Sequence, residues 1–331
     1  MRRSPCRVKA LITGITGFAG SHLAEALLAA GDQVLGLTRQ DNWPANLPTK
    51  LATTVPLLKW DITQPVTPEL QAAVAEWKPD CCYHLAAVSI PADCGTTTPT
   101  PAALACNVTG TQHVVDLVTT LPQVPRFLLT SSNHVYAPVD AANPVVSETA
   151  PVNPESAYGK TKLAAESIVL QAVQSRQLEA CIARSFQHTG PRQQARLMVP
   201  EWACQFARET KTVRVQTLDS YLDLSDVRDV VRAYHAIMQQ GMQQGMQQGT
   251  TGALFNVGSG TSVRSGDVCE LFQQRVSQRR QIEELYPGQR QQPIANISQL
   301  QKVTDWKPTI KLTQTIDDTL SYWKAQFTSN D

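Results

Sequence analysis

Thr13-Gly14-Ile15-Thr16-Gly17-Phe18-Ala19-Gly20 joins two segments of different period. Before it, Arg7–Thr13 reads as a buried strand; after it, Phe18–Ala30 reads as a helix that ends at Gly31. Gly14 lets the chain turn tightly, Gly17 lets the backbone approach a pyrophosphate, and Gly20 lets helix and strand pack closely. The helix N-terminus meets the phosphate charge. The spacing is G-x-x-G-x-x-G rather than the commoner G-x-G-x-x-G, so the weight of the motif comes from its place at the end of the first strand of a β-α frame.

That frame continues outward. Gln33–Thr38, Val55–Trp60, Asp80–Leu85, Arg126–Ser131 and Leu178–Ser185 read as strands. Pro68–Trp77 reads as a helix, and Thr100–Leu121 contains a long one. A third, capped by Asn153 with Pro154 at its first position, runs to about Gln174. Strands alternating with helices predict an α/β fold of Rossmann type, a doubly wound parallel sheet. Beyond Gln187 the pattern loosens. Val199–Glu209, Asp226–Gln239, Ser265–Ser277 and Leu312–Phe327 read as helices, and Val213–Thr217 and Ala253–Val257 as strands. This predicts a dinucleotide-binding domain over 1–186 and a smaller mixed substrate lobe over 187–331, partly interleaved with it. Gln239–Gly249 holds three QQG units at a four-residue period, too short for a solenoid, and reads as a low-complexity surface loop.

Composition narrows the class. The 331 residues are 42% apolar and 17% charged, with a net charge of +1, so no global field favours nucleic acid or an anionic membrane and any anionic ligand is held by local groups. Eight cysteines form no C-x-x-C pair and read as buried thiols of a reduced, cytoplasmic protein. The basic start lacks an apolar h-region, and no run of about 18 apolar residues is present, so neither a signal peptide nor a membrane span is expected. The histidines lie on different elements without metal-ligand spacing, and no metal is expected.

Three further features carry chemistry. The second strand ends Leu37-Thr38-Arg39-Gln40, with no acid where a ribose 2′-hydroxyl would be read and an arginine instead, which favours NADP(H) over NAD(H). Asp61, after the third strand, is placed to accept from an adenine amino group or to cap its own loop. Tyr158 and Lys162 stand four apart on one helical face. An ammonium near a phenol favours phenolate and eases proton exchange near neutral pH. Ser131-Ser132 ends the fifth strand, where open α/β sheets place their ligands, and a hydroxyl there can hold a substrate oxygen beside the tyrosine.

With these pieces in order, the chain resembles the extended short-chain dehydrogenase/reductase family, of the NAD-dependent epimerase/dehydratase type, over about residues 8–325. The matching stretches include TGITGFAG, His84-Leu-Ala-Ala87, Asn107-Val-Thr-Gly-Thr111, SSNHVY, YGKTK and Asp226-Val-Arg-Asp229. Phe255-Asn-Val-Gly-Ser259 and Asp305-Trp306-Lys-Pro308 also match. Phe186-Gln-His-Thr-Gly-Pro191 and Leu197-Met-Val-Pro200 are most similar to the family's GDP-sugar branch, which holds the 4-keto-6-deoxymannose reductases and the GDP-mannose 4,6-dehydratases.

The resemblance implies that Ser132, Tyr158 and Lys162 are the catalytic triad, with Asn107 supporting them from below. It implies cofactor contacts from Gly14, Thr16, Gly17, Phe18 and Gly20, from Thr38, Arg39, Asp61 and Ile62, and from Leu85, Ala86, Ala87 and Lys162. Substrate contacts are implied for Ser89, Asn133, His134, Gln187, Arg192, Arg196 and Val199. The implied activity is NADP(H)-dependent reduction of the 4-keto group of a nucleotide-activated 6-deoxy sugar, with Tyr158 as proton donor, in a homodimer. A nucleotide-sugar 4-epimerase with bound NAD is the alternative; a 4,6-dehydratase or a non-catalytic dinucleotide sensor come after it. The departures bear on substrate. His134 stands where the dehydratases carry a glutamate, Leu222 where an arginine grips the substrate phosphates, Gln187 for an asparagine and Arg192 for a glycine. Arg192 or Arg196 is the expected source of the missing positive charge.

Overall fold

A computed structural model describes residues 7–243 and 252–328. Seven parallel strands form the central sheet. Five of them lie in the first part of the chain: β1 (Lys9–Thr13), β2 (Gln33–Thr38), β3 (Leu57–Lys59), β4 (Cys81–His84) and β5 (Arg126–Ser132). β6 (Ala180–Ser185) and, much later, β7 (Leu254–Val257) complete it in the order β7-β6-β5-β4-β1-β2-β3. The order reverses direction at β1, and ligands of open α/β sheets bind in the crevice outside the strand ends at such a switch point.

Helices α1 (Phe18–Ala30), α2 (Pro68–Trp77), α3 (Gly110–Thr119) and α4 (Ala157–Gln174) flank the sheet. α6 (Val227–Gln243) also packs on the sheet, whereas α5 (Met198–Ala207) and α7 (Leu312–Thr328) pack on each other among the later elements. The strands are apolar because both faces are covered. On one face Ile12, Leu23, Leu128, Val230 and Tyr234 pack together. On the other, Leu11, Val114, Phe127, Val169 and Ile182 do. A third cluster, with Trp202, Phe206, Leu222, Phe272 and Leu320, forms a separate core among the later elements. No helix among the described residues is long and apolar enough to cross a membrane.

Several expectations are corrected. Helix α4 starts three residues later than Asn153 and Pro154 implied: Ser156 is its N-cap, its hydroxyl accepting from Gly159 N–H at 3.1 Å. Thr100–Leu121 contains the expected long helical run, Pro101–Thr119, but it is not uniform. The turn Pro101–Leu104 passes into a π-helical stretch, Ala105–Thr109, before α3. Asp226 closes a strand, Ser220–Asp226, that the pattern did not show, and caps α6 as expected, its carboxylate accepting from Arg228 N–H at 2.8 Å. The loop expected over Gln239–Gly249 begins as helix, since α6 runs to Gln243; the rest of the repeat lies outside the described residues, as does the basic start with Cys6.

Candidate active site

The glycine turn lies hard against the segment that follows β4. Gly14 adopts φ 71°, and a Cβ there would stand 2.6 Å from Ala86 N. A Cβ on Gly20 would stand 2.2 Å from the Gly14 carbonyl oxygen. Both positions therefore require glycine. Gly17 caps α1 with extended backbone and no side-chain hydrogen bond, and no acid occupies the first turn. The leading N–H groups of α1 are thus left without side-chain partners, the condition under which a helix end takes a phosphate.

One hydrogen-bonded chain closes beneath this turn. Ala86 N donates to Thr13 Oγ1 at 3.2 Å, and that hydroxyl meets His84 Nδ1 at 2.7 Å. His84 Nε2 meets Thr111 Oγ1 at 3.0 Å, and Thr111 donates to the Asn107 carbonyl at 2.7 Å. Because the Thr111 proton is used, His84 donates from Nε2 and accepts at Nδ1, which assigns the neutral tautomer. Burial, aided by the nearby Lys162, holds His84 down to about 3. The Asn107 side chain in turn fixes the loop backbone. It accepts from Val88 N at 2.7 Å and donates to the Val88 carbonyl at 3.1 Å and to Thr161 Oγ1 at 3.0 Å. Asn107 sits in the π-helical stretch, a distortion that often marks functional sites.

At the end of β2, Thr38 Oγ1 joins Thr16 Oγ1 at 3.1 Å and accepts from Gln40 N at 3.2 Å, and Arg39 follows, exposed. Asp61 uses Oδ1 as a loop cap, accepting from Thr63 N at 3.0 Å and Thr63 Oγ1 at 2.9 Å. Ile62 is buried against the π-helical stretch, and its carbonyl meets His113 Nδ1 at 2.8 Å. Leu85, Ala86 and Ala87 are half-buried beside Gly14.

The triad residues come together where β5 meets α4. Ser132 ends β5, buried, on the side of α4 that carries Tyr158. Its Oγ accepts from His134 N at 3.2 Å and contacts Asn133 Oδ1 at 3.4 Å. Gly159 makes the close approach possible, since a Cβ there would stand 2.1 Å from the His134 carbonyl oxygen. The His134 ring stands edge-on to Tyr158, centroids 5.4 Å apart at 75°, and burial lowers its basicity. Burial pushes the Tyr158 phenol up to about 12, and the nearby Ser132 hydroxyl works against that rise. Lys162, one turn further on and 4% exposed, is brought down to about 8 by burial, and the Glu166 carboxylate opposes that fall.

The expected substrate residues divide. Ser89 is exposed on the loop beyond β4, while Asn133 is buried beside Ser132. Gln187 Nε2 donates to Gln292 Oε1, and Gln187 Oε1 is buried without a partner. Arg192 is not a free cation of the cleft. Its guanidinium packs on His22 and pairs with Glu25 Oε2 at 2.5 Å, on the side of α1. Arg196 is likewise engaged, bidentate to Asp93 at 2.7 and 2.9 Å. That pair ties the segment before α5 to the turn Pro91–Cys94. Val199 is 2% exposed in the third core, so its side chain packs rather than lines a cleft. A cavity of about 710 Å³ lies apart from the triad, bounded by His22, Glu25, Pro48, Arg192, Arg228 and Tyr322 among others. Pairings such as Arg192–Glu25 are remote in sequence and carry no local signal.

The chain matches the family model of GDP-mannose 4,6 dehydratase over residues 11–319. It is 28% identical to the GDP-6-deoxy-D-mannose reductase of Pseudomonas aeruginosa over 326 residues, covering 95% of this chain and 97% of that protein. It is 25% identical to UDP-glucuronic acid decarboxylase 1 of Arabidopsis thaliana, covering 98% of this chain and 72% of the relative. Among solved structures, RMD from Pseudomonas aeruginosa complexed with NADPH superposes with a TM-score of 0.75 at 25% identity, covering 96% of this chain and 99% of that one.

Proposed function

The chain belongs to the GDP-mannose 4,6 dehydratase family, within the nucleotide-sugar-modifying short-chain dehydrogenases/reductases, and from that premise we propose that it is an NADP(H)-dependent reductase of the 4-keto group of a nucleotide-activated 6-deoxy sugar such as GDP-4-keto-6-deoxymannose. The observation that carries this reading is the convergence of buried Ser132, at the end of β5, with Tyr158 and buried Lys162 on α4, which Gly159 lets pack against the His134 backbone. A reduction needs an acid at the carbonyl oxygen, and a phenol pushed up to about 12 keeps its proton at neutral pH.

The residues fit the dinucleotide. Gly14, Gly17 and Gly20 give the backbone room, and the uncapped start of α1, including Phe18, takes the pyrophosphate. Arg39, next to the Thr16–Thr38 pair, would hold the 2′-phosphate of NADP(H), Asp61 would face the adenine, and Lys162 would hold the nicotinamide ribose. Bound there, the reduced dinucleotide supplies hydride to C4. Tyr158 gives its proton to O4, Ser132 holds the same oxygen, and the Lys162 ammonium stabilises the phenolate that remains. The ketone becomes a hydroxyl, and the phenol is restored from solvent. His134, packed against the Tyr158 ring and of lowered basicity, is a poor base for the C5 proton that dehydration must remove. The similarity to the Pseudomonas aeruginosa reductase over nearly the whole of both chains supports reduction.

The test is NADPH oxidation followed optically with a panel of 4-keto nucleotide sugars. Turnover is expected with at least one guanosine-linked 6-deoxy substrate. A protein that binds NADPH but oxidises none across the panel, or that retains NAD⁺ and interconverts C4 epimers, contradicts the proposal.

A further inference from the structure

Behind the triad lies a buried ion pair that the reaction scheme does not use. Glu166 is 1% exposed and lies one turn past Lys162 on α4. Its carboxylate accepts from Arg184 Nε at 2.9 Å, from Arg184 Nη2 at 2.7 Å and from Ser131 Oγ at 2.5 Å. Arg184 is 4% exposed, donates Nη1 to the Glu148 carbonyl at 3.2 Å, and lies 5.0 Å from the Tyr136 ring centroid. Ser131 and Arg184 are register partners across β5 and β6, directly before the Ser132–Ser185 pair. One carboxylate therefore joins three elements. One is the strand that ends in Ser132, another is the helix that carries Tyr158 and Lys162, and the third is the strand between Ser132 and the later lobe.

A buried ion pair is weak evidence for stability, because apolar residues of the same volume often do as well. Its placement suggests another use. We propose that Glu166 is a positioning residue for the reduction: it locks the triad's helix to the triad's strand and supplies the negative charge that keeps the Lys162 ammonium protonated beside the dinucleotide. This rests on the function proposed above. Residues four apart on a helix lie within about 6 Å at Cβ. The groups that face Lys162 are few. His84 comes from β4, Cys94 from the turn Pro91–Cys94 and Cys106 from the π-helical stretch, with Tyr158 and Glu166 on its own helix. His84 is neutral and burial raises both thiols, which leaves the Glu166 carboxylate, ion-paired with Arg184, as the negative group beside Lys162.

The experiment titrates NADPH affinity by its fluorescence from pH 6.5 to 9.5 in the full-length wild type, Glu166→Gln and Ser131→Ala. Affinity should weaken as Lys162 loses its proton, near pH 8 in the wild type. Glu166→Gln should move that midpoint down by about one pH unit. Ser131→Ala removes a hydrogen bond but no charge and should leave it in place. Should Glu166→Gln fail to fold, Glu166→Gln/Arg184→Met removes the pair together and should move the midpoint in the same direction by less. A folded variant of either kind with the wild-type midpoint overturns the proposal. Turnover of a 4-keto sugar is measured alongside. A wild type that binds NADPH with this pH dependence yet reduces no sugar contradicts the reductase reading and leaves the role of Glu166 intact.

Discussion

Tyr158 and Arg39 are the residues whose replacement separates chemistry from binding. Tyr158→Phe removes the acid but keeps the ring packed against His134. It should lower kcat by about 10² to 10⁴ with NADPH affinity unchanged, since positioned general acids contribute on that scale; a variant with wild-type kcat would rule the phenol out. Arg39→Ser should cut the preference for NADPH over NADH by about 10- to 100-fold, the worth of one or two charge-assisted hydrogen bonds. Relative kcat/KM for the two cofactors checks it, and an unchanged ratio would mean that Arg39 does not read the 2′-phosphate. The places of these two residues in the fold were legible in the sequence because their signals are local. Arg39 directly follows the strand that ends at Thr38, and Tyr158-x-x-x-Lys162 falls on one helical face. Arg192 and Arg196 were not legible. Their carboxylate partners, Glu25 and Asp93, lie 167 and 103 residues away in the chain.

At the scale of elements, the placement of α4 decides the site. Ser156→Ala removes its cap and should cost about 1 kcal/mol of stability, read from a urea transition, with little loss of activity. Gly159→Ala is a different matter. The new Cβ meets the His134 carbonyl, backbone that carries Ser132 and Asn133 beside it, so α4 must move off β5. It should lose more activity than Ser156→Ala at a comparable stability; equal activities would mean that the close approach does not set the triad. The glycine turn, α1 and the sheet strands were readable from period and punctuation, and α1, β2 and α2 fall where the pattern put them. The strand Ser220–Asp226 was not. A fully buried aspartate, Asp223, interrupts its apolar pattern while accepting from Ser259, Gly260 and Ala295 backbone N–H groups. The π-helical stretch also escaped, since its cause is the tertiary grip of Asn107 on Val88 and Thr161 rather than a local breaker.

For the whole molecule, stability and reaction both depend on groups buried in one protonation state. His22 is held down to about 4 by burial and Arg192, and His84 to about 3 by burial and Lys162. Both have lower pKa values folded than unfolded, so the stability they contribute is complete above the ordinary histidine value of 6.5 and is lost as pH falls toward those values. Urea transitions should show a loss on the order of 2 kcal/mol per histidine between pH 7 and 4.5; a flat profile would contradict the buried neutral assignment. The catalytic claim is tested most directly by the fate of the hydride. With NADPH deuterated at the transferring position of C4 and a GDP-4-keto-6-deoxy sugar, the wild type should give a sugar product carrying one deuterium at C4, and Tyr158→Phe should give almost none. A product without deuterium at C4, or sugar turnover with no net oxidation of NADPH, would contradict the account.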